Sequence, residues 1–208
     1  MKFFINTFIS LIQLLKENKV FFKYELIFFI YGLGFMILLP INVFLFVDHF
    51  NMSYKEITFA QIICFNLGLI MFSSFAGRIF DHYKVVKATG IYFLSLAFYP
   101  ALLLFALVVH SKSSVFIAFF IYGVAMSGVV QSWMLSSIKF SGDKDSSTFM
   151  GIHVTAVGIR SIIGPSIGVL IAKQLSMISV FAIAIGLFLT AGYLMFKLKL
   201  SPSLSKSI

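Results

Sequence analysis

The chain has 208 residues, of which 60% are hydrophobic and only 11% charged, with a mean hydropathy of +1.04. That mixture leaves too little polar surface to clothe a water-soluble domain, so it excludes the solvated globular classes in favour of an all-α, polytopic membrane protein. The net charge of +9 is then a topology signal to be read loop by loop, not an affinity for nucleic acid. One cysteine, Cys64, excludes an intrachain disulfide.

The first apolar stretch, residues 3–15, is too short to cross a bilayer, which takes about 20 residues. Phe4, Phe8, Leu11 and Leu15 fall at helical spacing with polar breaks between them. Residues 1–24 therefore read as an amphipathic, interfacial segment on the cytoplasmic side. Six longer apolar runs follow, predicting spans over 26–47, 57–76, 88–109, 115–138, 149–172 and 177–196. The six-span domain is expected over 25–199, and 200–208 as a cytoplasmic tail. Short connections predict antiparallel neighbours in sequence.

Charge sets the orientation. Twelve basic residues, among them Lys16, Lys19, Lys23, Arg78, Lys84, Lys87, Lys139, Lys197 and Lys199, fall on one side of this topology. Only Lys55, Lys112 and Lys173 fall on the other, and Arg160 lies inside span five. Basic loops stay inside, so both termini are expected to be cytoplasmic, in the cell membrane (bacterial inner membrane). The seven carboxylates, Glu25 included, fall outside the expected spans. On this reading Arg160 has no counter-ion in its own chain at its depth. The run FFIYG occurs at 28–32 in span one and again at 119–123 in span four. Such an echo fits two inverted three-helix repeats, although a Phe-rich chain can repeat five residues by chance.

Residues 77–87, GRIFDHYKVVK, join spans two and three. Gly77, Asp81 and the basic residues around them resemble the loop motif G-x-x-x-D-R-x-G-R-R of the major facilitator superfamily. His82 and Lys84 stand where that motif has arginine and glycine, and Val85 and Val86 where it has basic residues. The resemblance implies a conformational-switch loop built on Gly77, Arg78, Asp81 and Lys84. A solvated basic loop is the plainer reading. Span five reads GIRSIIGPSIG over 158–168 and resembles the family's fifth-helix motif ending in G-P-x-x-G. Pro165 removes the N–H that would serve the Ser161 carbonyl. Gly158, Gly164 and Gly168 let a neighbour approach, so the segment reads as a helix-bend motif or as a static packing motif.

Arg160 lies ~16 Å along span five if that helix starts near Phe149. That is close to the midplane of a ~30 Å core, where arginine costs about 2.5–3.5 kcal/mol. It should face the bundle interior, with His153 two turns earlier on the same face. Both are candidates for a solute or ion pathway, against a buried structural cation and an interfacial histidine. Asn42, after the breaker Pro40, and Gln131 are two further pathway candidates, against plain interhelical hydrogen bonds.

Scattered histidines and a lone thiol offer no metal cluster and no catalytic set, so neither an enzyme nor a cofactor is expected. The resemblance covers one six-span half of a usual family member, more like the second half because the segment before span one resembles an inter-half linker. It implies secondary active transport of a small solute, an anion favoured by Arg160, by alternating access. The partners expected are the lipid bilayer, the solute, and a homodimer mate or separate partner half, with no nucleic acid. The alternative is a non-transporting scaffold or assembly subunit, or an inactive transporter fragment.

Overall fold

The computed structural model describes Leu14, residues 16–142 and residues 145–200. Six helices long and apolar enough to cross a membrane follow one another: α1 Lys19–His49, α2 Tyr54–His82, α3 Val85–Val109, α4 Lys112–Ser141, α5 Ser146–Gln174 and α6 Met177–Lys197. Each contains the corresponding predicted span. Among the described residues there is no strand, so the all-α, six-span fold class holds. Most of the amphipathic N-terminal segment, and the tail beyond residue 200, lie outside the described residues.

The helix starts are written in the connections. Asn18, Ser53, Ser111, Asp145 and Ser176 each accept a first-turn backbone N–H through a side-chain oxygen. At Ser53 the cap is reciprocal, because the Glu56 carboxylate accepts the Ser53 N–H at 2.7 Å. At Asp145 the amide and hydroxyl of Ser147 both donate to the carboxylate and hold it below its ordinary range. Away from the basic edge, Lys112 reaches the Asn51 carbonyl and Glu56, tying two connections together.

Three features depart from expectation. Pro40 does not break the first span, since regular helix runs through it from Lys19 to Phe44 and relaxes only afterwards, in a π turn over Leu45–His49. The loss of one hydrogen bond is tolerated because α5 packs directly against this part of α1. Residues 77–87 are mostly not a loop: helix continues to His82, and only Tyr83 and Lys84 separate it from α3 at Val85. No breaker stands between Gly77 and His82 to stop it. Thirdly, α1 begins at Lys19, well before residue 26, because Asn18 caps it there. The first turns of α1 therefore carry Glu25 into the bundle.

The helices pack as two inverted triplets. The parallel pair α1 and α5 is matched by the parallel pair α4 and α2, and α1 on α6 is matched by α4 on α3. The repeated FFIYG sits at equivalent crossings. A Cβ on Gly123 would overlap the Phe65 carbonyl of α2, and one on Gly32 would overlap the Arg160 guanidinium of α5. In both triplets this glycine is the notch into which the partner helix fits. Aromatic rings fill the centre, including Tyr31 stacked on Phe93 at 4.2 Å. Tyr24, Thr89 and Ser132 link α1, α3 and α4 through buried hydroxyl contacts.

Candidate functional site

Charge inside the bundle is concentrated on one seam. On α1, residues 25, 28, 32 and 36 follow helical spacing and face α5. On α5, His153, Arg160, Gly164 and Gly168 face them in the same order. Glu25 meets His153, Phe28 and Gly32 meet Arg160, Met36 meets Gly164, and Ile37 meets Gly168.

At the end nearer the basic edge, both carboxylate oxygens of Glu25 lie against His153 Nδ1, at 2.9 and 3.2 Å. Glu25 is 5% exposed and His153 1%, so the pair is shielded from solvent. It is an ion pair when the ring carries a second proton and a hydrogen bond from neutral imidazole to a carboxylate when it does not. Phe28 and Trp133 enclose the ring edge-on, with centroids at 4.6 and 5.1 Å. His153 Nε2 and Trp133 Nε1 are buried without a hydrogen-bond partner.

Arg160 is the middle residue of the 29 in α5. It is 2% exposed. One guanidinium nitrogen donates to the Phe28 carbonyl at 2.7 Å, and the guanidinium carbon stands 5.6 Å over the Tyr31 ring. The Gly32 notch makes room for it. Its Nε is buried and unpartnered. A positive charge thus lies in a low-dielectric site with one carbonyl, one ring face and an Nε that has no partner.

The expectation that no span contains an acidic residue needs correction, although among the described residues no carboxylate pairs with Arg160. Glu25 lies on the same seam two turns nearer the basic edge, and it is bound by His153. The sequence reading placed it outside because the apolar run starts after it. The available signal was the match in spacing: Glu25 and Gly32 are seven apart on α1, as His153 and Arg160 are on α5.

The other candidates are not gathered here. Asn42 donates to the Tyr99 hydroxyl at 3.0 Å, linking α1 to α3, and its Oδ1 is buried and unpartnered. Gln131 donates to the Ser73 carbonyl at 3.0 Å, linking α4 to α2. Gly77, Arg78 and Asp81 occupy the last turns of α2, and Lys84 directly precedes α3. Within the bend motif, Gly164 and Gly168 press on α1 while Gly158 faces open space. Among the described residues no group of His, Cys, Asp and Glu could hold a metal ion.

A second feature concerns the outer faces. α2 and α5 are the least buried spans, and polar side chains stand on their exposed sides: Gln61, Asn66 and Ser74 on α2, Thr155, Ser161 and Ser166 on α5. Lipid is a poor host for such groups, which are at home beside another helix or water.

The family model described as Major Facilitator Superfamily matches residues 25–207. Neither a curated protein nor a solved structure matches the chain.

Proposed function

The chain belongs to the major facilitator superfamily, and from that premise of an integral membrane transporter we propose secondary active transport of a small, preferably anionic solute by alternating access. The observation that carries this is the buried seam itself, where Arg160 sits at the middle of α5 with its Nε unpartnered. Ionisable groups at that depth are expensive, and function is the ordinary reason to keep them. Arg160 is the solute's counter-charge in this reading. An entering carboxylate competes with the Phe28 carbonyl for the guanidinium. Glu25 and His153 form the proton-coupling pair, because a proton on the carboxylate weakens its hold on the ring and frees α5 to move against α1. Pro165 is where α5 bends. Asn42 and Gln131 steady the flanking helices, and the α2–α3 connection around Gly77, Arg78, Asp81 and Lys84 changes contacts between states.

The second wall of the pathway comes from another six-helix half, a second copy or a separate partner, seated on the polar faces of α2 and α5. Six spans leave both termini on one side, which the lysine-rich edge makes cytoplasmic, in a bacterial inner membrane. Two copies can therefore pair about an axis along the membrane normal without inverting either. Crosslinking through Asn66→Cys, in a Cys64→Ser background in native membranes, tests this. A disulfide-linked species of twice the mass supports a second copy, a larger mixed species supports a partner half, and monomer alone counts against both.

The transport reading is tested by reconstituting the protein, with its partner if one is found, and measuring uptake of small carboxylates driven by a proton gradient. Uptake that disappears in Arg160→Ala is the expected result. In Glu25→Gln, gradient-driven uptake is lost while solute exchange persists. A second reading, a non-transporting scaffold, is favoured by the closed contact of Arg160 with Phe28 and Gly32. It predicts no uptake of any solute in the intact assembly and no functional cost of Arg160→Ala.

A further inference from the structure

At the basic edge, a groove of about 440 Å³ runs between the first turns of α1 and the last turn of α6. Lys19 and Lys23 line it from α1, Lys197 from α6, and Lys199 from just beyond. Its floor is apolar, formed by Leu26 and Ile27 on one side and Leu194 on the other. Among the described residues no carboxylate lines it, and Glu25, next to Leu26 in sequence, is turned to the opposite face and held by His153.

The groove gathers like charges. Lys19 and Lys23 are four apart on one helical face and repel each other. Both stand in the first turns of α1, where the helix dipole is positive and the first turn holds no acidic residue. Lys197 is held over the Tyr193 ring at 5.6 Å, a contact that leaves its charge uncancelled. The groove also combines two chemistries in a fixed order along the membrane normal. The ammonium groups stand at the edge beside Val20 and Leu198, and about one helical turn deeper only apolar side chains, Leu26, Ile27 and Leu194, line the groove. A free phosphate would satisfy only the first of these, and a neutral lipid only the second.

We propose that this groove is a binding site for one anionic phospholipid, with the phosphate-bearing headgroup among Lys19, Lys23, Lys197 and Lys199 and an acyl chain over Leu26, Ile27 and Leu194. The lipid neutralises the four cations and bridges the start of α1 to the end of α6. It thereby steadies α1 directly above the Glu25–His153 contact. The site is independent of which solute the protein carries and of whether it carries one.

The test is native mass spectrometry of the delipidated full chain titrated with phosphatidylglycerol, with phosphatidylcholine and glycerol phosphate as separate arms. One tightly retained phosphatidylglycerol is expected, with neither of the other two retained. Lys23→Gln/Lys197→Gln should weaken retention about 5-fold per lysine removed. Lys23→Arg/Lys197→Arg should restore it. Lys87→Gln/Lys139→Gln, which removes equal charge from the same edge outside the groove, should leave it unchanged. Equal loss in the groove and control variants would mean diffuse attraction and overturn the proposal. Retention of glycerol phosphate, or equal retention of phosphatidylcholine, would overturn it as well. Thermal unfolding of each variant, followed alongside, separates loss of the lipid from loss of the fold.

Discussion

The α1–α5 seam and the α4–α2 seam are built on the same plan and filled differently. Each joins two parallel helices, and each uses the glycine of an FFIYG run as its notch. At the layer before the notch, α1 presents Glu25 to His153. Counting back equally from the repeated run, α4 presents Phe116, which packs edge-on against Phe59 of α2 with centroids 5.6 Å apart. Into the notch, α5 inserts Arg160, whereas α2 brings up its own backbone at Phe65. One seam is thus a dry, close helix crossing. The other keeps the same backbone arrangement but spends its interior on three ionisable groups. Packing alone does not require them, since the α4–α2 seam achieves it without any.

Breaking the pair on the charged seam has the largest expected effect. Glu25→Ala leaves His153 buried without its partner, and loss of one member of a buried pair costs about 3–5 kcal/mol. Chemical denaturation in detergent should register that. Converting the layer to its counterpart's chemistry, Glu25→Phe with His153→Leu, should recover most of the stability while abolishing proton-driven uptake. On the uncharged seam, Gly123→Val forces a side chain into the Phe65 carbonyl, an overpacking cost of about 1–3 kcal/mol or more, seen as reduced yield of folded protein. A smaller effect belongs to Gln131→Leu, which removes one interhelical hydrogen bond worth roughly 0.6 kcal/mol. Gly158→Ala has the opposite sign. The added methyl meets open space, and helix propensity favours alanine by up to about 1 kcal/mol, so the unfolding midpoint should hold or rise.

The hydropathy of the chain made the six crossings legible, because each needs a long apolar run and each run is closed by polar connections. The inward direction of Arg160 was legible too, since the cost of charge in lipid demands it. Glu25 was not. A run-based reading starts a span where apolar residues begin, while the helix starts where Asn18 caps it, and Glu25 lies between the two points. Continuation of α2 through Asp81 to His82 was hidden for the related reason that charged residues at a membrane edge read as loop. Pro40 misled in the opposite sense. A breaker in sequence is absorbed when a neighbouring helix packs on the same turn. Asn42 and Gln131 read as intramembrane amides, but their partners Tyr99 and Ser73 depend on helix pairings that no local pattern encodes.

The central claim is that Arg160 is kept for an anion and not for the fold. Arg160→Met separates these, because replacing a buried charge with an apolar side chain of similar length is often close to neutral for stability. The direct measurement is carboxylate binding to the intact assembly, followed together with its unfolding midpoint, in wild type and Arg160→Met. The account predicts a nearly unchanged midpoint and a loss of about 2–5 kcal/mol in anion affinity. A midpoint that collapses while the remaining folded protein binds the anion as before would contradict it.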